Sequence, residues 1–226
     1  VISLGTNGVL DENTVEQLLE IIGKDKSIFW VNVYAPGVEW EASNNKYLNE
    51  LAKKHSNVTI IDWNSYISKH TDLLEADGIH PIEDGANAYA HLIQEKINEV
   101  MQKQKEIDAR TQEVLDGAPK DGAEYEKIQY VYEYVINHTN YREGASDNQN
   151  IYSVLVNGES VCAGYARTTQ YLLERLNVFC TYVTGTAKRP ESSEEVPHAW
   201  NLVSCGEDYY YVDTTWGDPV YLEEVD

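Results

Sequence analysis

The stretch GESVCAGYART, Gly158–Thr168, sets one cysteine, Cys162, among small residues just ahead of an apolar helical pattern. Free cysteine is among the most buried residue types, so packing is one reading of this thiol. The other is a nucleophile in the first turn of a helix. There, unpaired backbone N–H groups and the positive end of the helix dipole favour thiolate over thiol. Ala163, Gly164 and Ala166 keep the turn small, which would let a substrate approach the sulfur.

The surroundings decide between the two. Upstream, YEKIQYVYEYVINHTNY reads as a strong helix, followed by a loop and a short helix around Tyr152 to Leu155. The Cys162 helix runs to about Leu176. Then come FCTYVTG, HAWNLVS and DYYYVDTTW, three strand candidates rich in Tyr, Val and Thr. Helices followed by strands indicate an α+β arrangement. A thiolate nucleophile needs a base and a group to orient it. His198 and Asp213 lie on adjacent strand candidates. With the hairpin turn at Cys205-Gly206, His198 falls directly opposite Asp213, their Cβ atoms about 5 Å apart. A one-residue slip would put them on opposite faces. Cys162 would then attack a carbonyl carbon, His198 would take and return the proton, and Asp213 would hold the ring tautomer. The Cys162 N–H and the Tyr152 side chain are candidate oxyanion donors.

The first hundred residues alternate strand and helix patterns. VISLG reads as a buried parallel strand, residues 11–23 as a helix opened by Asp11 or Asn13, and IFWVNVYAP as a strand stopped by Pro36. NNKYLNELAKKH is a helix, VTIIDW a third strand and GANAYAHLIQEKINEVMQ a closing helix. Such alternation implies a parallel sheet flanked by helices. Asn7 would sit at the C-terminal end of the first strand, where α/β folds collect polar groups. Asp77 and His80 are close enough for the carboxylate to orient the imidazole. Residues 101–121 are polar and end in Gly and Pro, a linker or bridging helix. The expected fold is therefore a partial α/β domain over 1–100 followed by an α+β domain over 122–226. ESSEEV, residues 191–196, reads as a solvated acidic loop.

Composition narrows the function. The 226 residues carry a net charge of −21, which disfavours binding to nucleic acid and to anionic lipid. Three cysteines are too few for a disulfide scaffold, and C-x-x-C and H-E-x-x-H are absent, so no metal or cofactor is expected. No apolar run reaches membrane-spanning length. The chain opens on Val1 and ends soon after the Asp213 segment, so it reads as a fragment of something longer.

YSVLVNGESVCAGYART, HAWNLV and YYYVDTTWGDP resemble, in order, the three motifs of the bacterial transglutaminase-like, papain-like cysteine superfamily. Ser160 departs from the alanine expected there. The resemblance implies a Cys162–His198–Asp213 triad acting on amide bonds, by hydrolysis or by acyl transfer to an amine. It also implies further sheet strands beyond the end of the chain. LGTNG and ADGIHPIEDGANAYAHLI, with VNVYAPGVEWEASNNKYL and VTIIDWNSY, resemble the back half of SGNH-type hydrolases, of the kind found in bacterial peptidoglycan O-acetyltransferases. That resemblance implies a flavodoxin-like fold, Asn7 as oxyanion donor and Asp77–His80 as relay to a serine on an earlier strand. GESV, read as a serine-nucleophile motif, falls in the wrong place for it.

Three functions compete. One is a cysteine hydrolase or acyltransferase joined to an esterase or acetyltransferase half, working at a bacterial cell surface on peptide, protein or wall polymer. Another is a non-catalytic binding module beside such an esterase. The third makes the esterase half the working enzyme and the other half its targeting device.

Overall fold

The computed structural model describes residues 1–188 and 194–218. The chain divides into two compact units, Val1–Met101 and Gln102–Asp226.

In the first unit, α1 (Glu12–Ile22) is N-capped by Asp11, whose carboxylate accepts from the Thr14 N–H. It leads to β1 (Ile28–Val31), α2 (Glu41–Lys54), β2 (Val58–Ile61) and α3 (Trp63–Ile67). β1 and β2 run parallel, Ile28 beside Val58 and Val31 beside Ile61, with α2 as the crossover. All four β1 residues are buried. Ile28 and Trp30 pack with Val15, Leu19, Leu48 and Leu51, whereas Phe29 and Val31 pack with Ile61, Trp63 and Ile67. Alternate side chains thus enter different clusters, as in a sheet covered on both faces. VISLG contributes less than a strand: one parallel bridge joins Ile2 to Trp30, while Val1 and Leu4 stay exposed.

The α4 helix spans Glu83–Gly117, so the segment 101–121 is helical over most of its length. Its Ile107 and Val114, with Ala118 just beyond its end, belong to the core of the second unit. That core is completed by α5 (Glu124–His138) and α6 (Cys162–Arg175), through Val131, Val135, Tyr165, Leu172 and Leu173. Between these helices, a short parallel pair joins β3 (Asn140–Tyr141) to β4 (Glu159–Ser160), and Ser153–Asn157 forms one turn of π-helix. An antiparallel sheet follows in the order β5 (Cys180–Lys188), β6 (Glu195–Cys205), β7 (Asp208–Val212), and α7 (Thr214–Gly217) comes directly after it. Glu195 and Val196 of the expected acidic loop are in β6, and residues 191–193 lie outside the described residues. No helix among the described residues is long and apolar enough to cross a membrane.

Candidate active site

Cys162 is the first residue of α6. Val161 precedes it in extended conformation and offers no side-chain cap, so the first-turn N–H groups lack that partner. At Gly164 and Ala166 the smallness serves packing, whereas Ala163, beside Cys162, is half-buried. Gly164 and Ala166 are buried, and a Cβ on Gly164 would lie 2.0 Å from the Ser160 hydroxyl oxygen. That hydroxyl shares a 2.7 Å hydrogen bond with Ser153 and lies 2.8 Å from the Asn148 carbonyl. Ser160 is therefore an interior polar link, and glycine at 164 makes room for it.

His198 Nε2 donates to Asp213 Oδ2 at 2.7 Å. The His198 residue is 8% exposed. The two are not rung partners, which corrects the expected hairpin. β6 and β7 pair Asn201 with Val212 and Cys205 with Asp208, around a two-residue turn with Gly206 at φ 66°. Continued by one more rung, that register would set Trp200 opposite Asp213 and leave His198 on the diagonal of the same face. The carboxylate still reaches the ring because β7 stops at Val212 and Asp213 turns out of the strand as the N-cap of α7. Its Oδ1 accepts from the Thr215 and Trp216 N–H groups at 3.1 Å each, which leaves Oδ2 for the imidazole.

Two rings absent from the expected site flank the imidazole. Trp216 stacks on it at 5.1 Å between centroids and Trp200 at 5.9 Å. The Trp200 ring passes over Gly185, where a Cβ would come within 2.8 Å of it. Aromatics two residues after His198 and three after Asp213 were the only signal in the sequence.

The elements carrying the three residues pack together. Asn201 of β6, fully buried, donates through Nδ2 to the Ala166 carbonyl of α6 at 2.9 Å. The Thr169 and Thr214 hydroxyls share a 3.2 Å hydrogen bond between α6 and α7. Tyr152 goes elsewhere: its hydroxyl donates to Glu106 Oε2 at 2.6 Å, with the Lys103 ammonium over its ring. That proton is not free for an oxyanion in this conformation. Cys180 is buried, which pushes its thiol up to about 12, with Glu174 adding to the shift.

In the first unit, His80 Nδ1 and Asp77 Oδ2 meet at 2.7 Å. Asp77 Oδ1 also accepts from the Ile79 and His80 N–H groups, and these bonds hold the carboxyl down to about 2. His80 and Asn7 line one cavity of about 360 Å³ with Ser3, Asn32, Tyr34, Trp63 and Tyr89. A larger cavity in the second unit, about 480 Å³ and bounded by Arg110, Tyr130, Tyr134 and His138, includes none of the candidate residues.

The sequence model of the transglutaminase-like superfamily matches residues 108–214, which include Cys162, His198 and Asp213. The chain is 37% identical over 93 residues to Bacillus subtilis YrhL, a provisionally named peptidoglycan O-acetyltransferase. It is 36% identical over 93 residues to the O-acetyltransferase OatA of Staphylococcus aureus strain NCTC 8325. Each match covers 41% of this chain but only 14% and 15% of those proteins. Among solved structures, a TGase is 15% identical with a TM-score of 0.41, covering 92% of this chain and 78% of that one, a distant likeness on which no residue's role depends. The chain is thus similar over 93 residues to bacterial O-acetyltransferases, and over residues 108–214 to the transglutaminase-like superfamily.

Proposed function

We propose that the second unit is a cysteine hydrolase or acyltransferase acting on amide bonds of peptides or proteins, with Cys162 as nucleophile, His198 as general base and Asp213 as its orienting acid. The observation that carries this reading is the partly buried hydrogen bond from His198 Nε2 to Asp213 Oδ2, 2.7 Å. Because Nε2 holds the proton toward the carboxylate, Nδ1 is the nitrogen left to accept one. Nδ1 takes the Cys162 thiol proton as sulfur bonds to the carbonyl carbon, and the carbonyl π electrons move to oxygen. The Cys162 N–H at the helix start donates to that oxyanion. Its collapse breaks the C–N bond, and the imidazolium returns its proton to the departing amine. The thioester left on Cys162 then passes its acyl group to water or to a second amine, with Nδ1 again removing the proton.

The first unit supports a second activity. His80, paired with Asp77, lines one cavity with Asn7, which suits the relay and oxyanion donor of an SGNH-type esterase or O-acetyltransferase acting on cell-wall polysaccharide, with the serine on another segment. Both readings set the protein at a bacterial cell surface.

The test is acylation by an activated p-nitrophenyl ester, followed by intact mass and peptide mapping. The expected result is one acyl group on Cys162, absent in Cys162→Ala and strongly slowed in His198→Ala. A wild-type chain with no adduct on Cys162 overturns the reading and favours a non-catalytic binding module.

A further inference from the structure

Asp218, the residue after α7, lies in the same hydrogen-bond system as the candidate site. The Tyr165 hydroxyl is 2.7 Å from Asp218 Oδ2 and 2.9 Å from the Thr139 carbonyl. A hydroxyl has one proton to donate, and a carboxylate is the stronger acceptor, so the shorter bond is the dominant one. Tyr165 is fully buried and stands three residues after Cys162 on α6. At the other end of α7, Asp213 caps the helix and holds His198. Four residues, Thr214–Gly217, separate the two acids.

The geometry points to α7 as a strut between nucleophile and base: Tyr165, through Asp218, is a positioning residue that holds the Asp213 carboxylate against His198 in fixed relation to Cys162. The inference rests on the functional reading above and adds to it two residues that touch neither substrate nor reacting atoms. The strut is needed because a helix of one turn has too few internal hydrogen bonds to hold its own direction. Asp213 by itself could keep its bond to His198 while the far end of α7 swung away from α6. The Thr169–Thr214 contact at 3.2 Å is the only other hydrogen bond described between α6 and α7, and it lies at the Asp213 end. Without Asp218, the far end of the turn loses its tie to the helix that carries the thiol.

Two readouts test this on the whole chain. The first is the rate of Cys162 alkylation by iodoacetamide across pH, followed by peptide mapping. The second is the downfield proton resonance of the His198–Asp213 hydrogen bond, assigned by its loss in His198→Ala. Tyr165→Phe and Asp218→Ala should each slow Cys162 alkylation near neutral pH by about 10- to 100-fold, the penalty of a misplacement on the order of 1 Å. Each should also shift or broaden the downfield resonance. Asp218→Asn keeps an acceptor oxygen for the tyrosine and should stay near wild type. The double variant Tyr165→Phe/Asp218→Ala should be no slower than either single one, since both remove the same bond. Folded variants that alkylate as wild type does, with an unmoved resonance, overturn the strut and leave the triad standing. Asp218→Asn falling as far as Asp218→Ala also overturns it. A wild-type Cys162 no faster than Cys205 removes the functional reading instead, and the resonance alone then decides whether the strut positions the His198–Asp213 pair.

Discussion

His198 and Asp213 meet at 2.7 Å from positions that do not face each other across the sheet. The contact exists because the carboxylate has two oxygens with separate tasks. Oδ1 caps the turn that begins at Thr214, and Oδ2 accepts the hydrogen bond of the imidazole N–H. Capping fixes the carboxylate plane, so the imidazole meets an acceptor that is already oriented. The same bond chooses the nitrogen left for chemistry, Nδ1, as the tautomer follows the partner.

Asp213→Asn should therefore damage chemistry more than stability. The amide can still accept from the α7 N–H groups, but its NH2 cannot take the imidazole proton in the same orientation. We expect acylation of Cys162 by the activated ester to fall by about 100- to 10,000-fold, as when the orienting acid of a Ser-His-Asp triad is made an amide. Thermal unfolding should move little. A rate within a few-fold of wild type would remove Asp213 from the machinery.

The three thiols should separate cleanly. Cys180 is buried and its pKa is pushed up to about 12, so its thiolate is scarce near neutral pH. Iodoacetamide at that pH should label Cys162 first and leave Cys180 untouched in the folded chain, as read by peptide mass. Rapid labelling of Cys180 would mean that the second unit opens readily.

Gly164→Ala should destabilise the second unit. The added methyl would meet the Ser160 hydroxyl at 2.0 Å, the Ser153 hydroxyl at 3.0 Å and the Asn148 carbonyl at 3.1 Å. The last is backbone and gives little. Overpacking of this kind costs about 1–3 kcal/mol, measurable by urea unfolding. Adding Ser160→Ala should recover part of the loss, since it removes the nearest atom. No recovery would mean that the Asn148 carbonyl is the true obstacle.

The Asp77 carboxyl should titrate at about 2, held down by the Ile79 N–H and then by His80. A depressed carboxyl stabilises the folded loop above the ordinary carboxylate range. That contribution fades as the pH falls through about 2. A carboxyl NMR titration reads the midpoint directly. In His80→Ala the midpoint should rise yet stay below the ordinary value, because the backbone donors remain. A midpoint at the ordinary carboxylate value in the wild-type chain would mean that the Asp77–His80 contact does not persist in solution.

The residues alone were enough to place most of the elements. Asp11 capping, the strand–helix–strand run to Ile61 and the helix beginning at Cys162 are local matters, set by capping chemistry and hydrophobic period. The pairing of an imidazole on β6 with an acid just past the end of β7 was legible too, because alternation fixes faces. Its register was not. A shift of two residues returns every side chain to the same face, so the pattern of Trp200, Leu202 and Tyr211 reads equally well in either register, and only the hydrogen-bond ladder around Gly206 selects one. VISLG shows the same limit, since an apolar run cannot state how much of itself a neighbour will pair.

What tertiary structure alone decided are relations between residues far apart in the chain: Tyr152 with Glu106, and Tyr165 with Asp218. A polar side chain takes whichever partner folding brings within about 3 Å, and no local period carries that information. The sequence by itself determined which elements form and which chemical groups they carry. The packing of α6 against β6 and α7 decided which of those groups meet, because hydrogen bonds are short and directional whereas hydrophobic patterning fixes only a face.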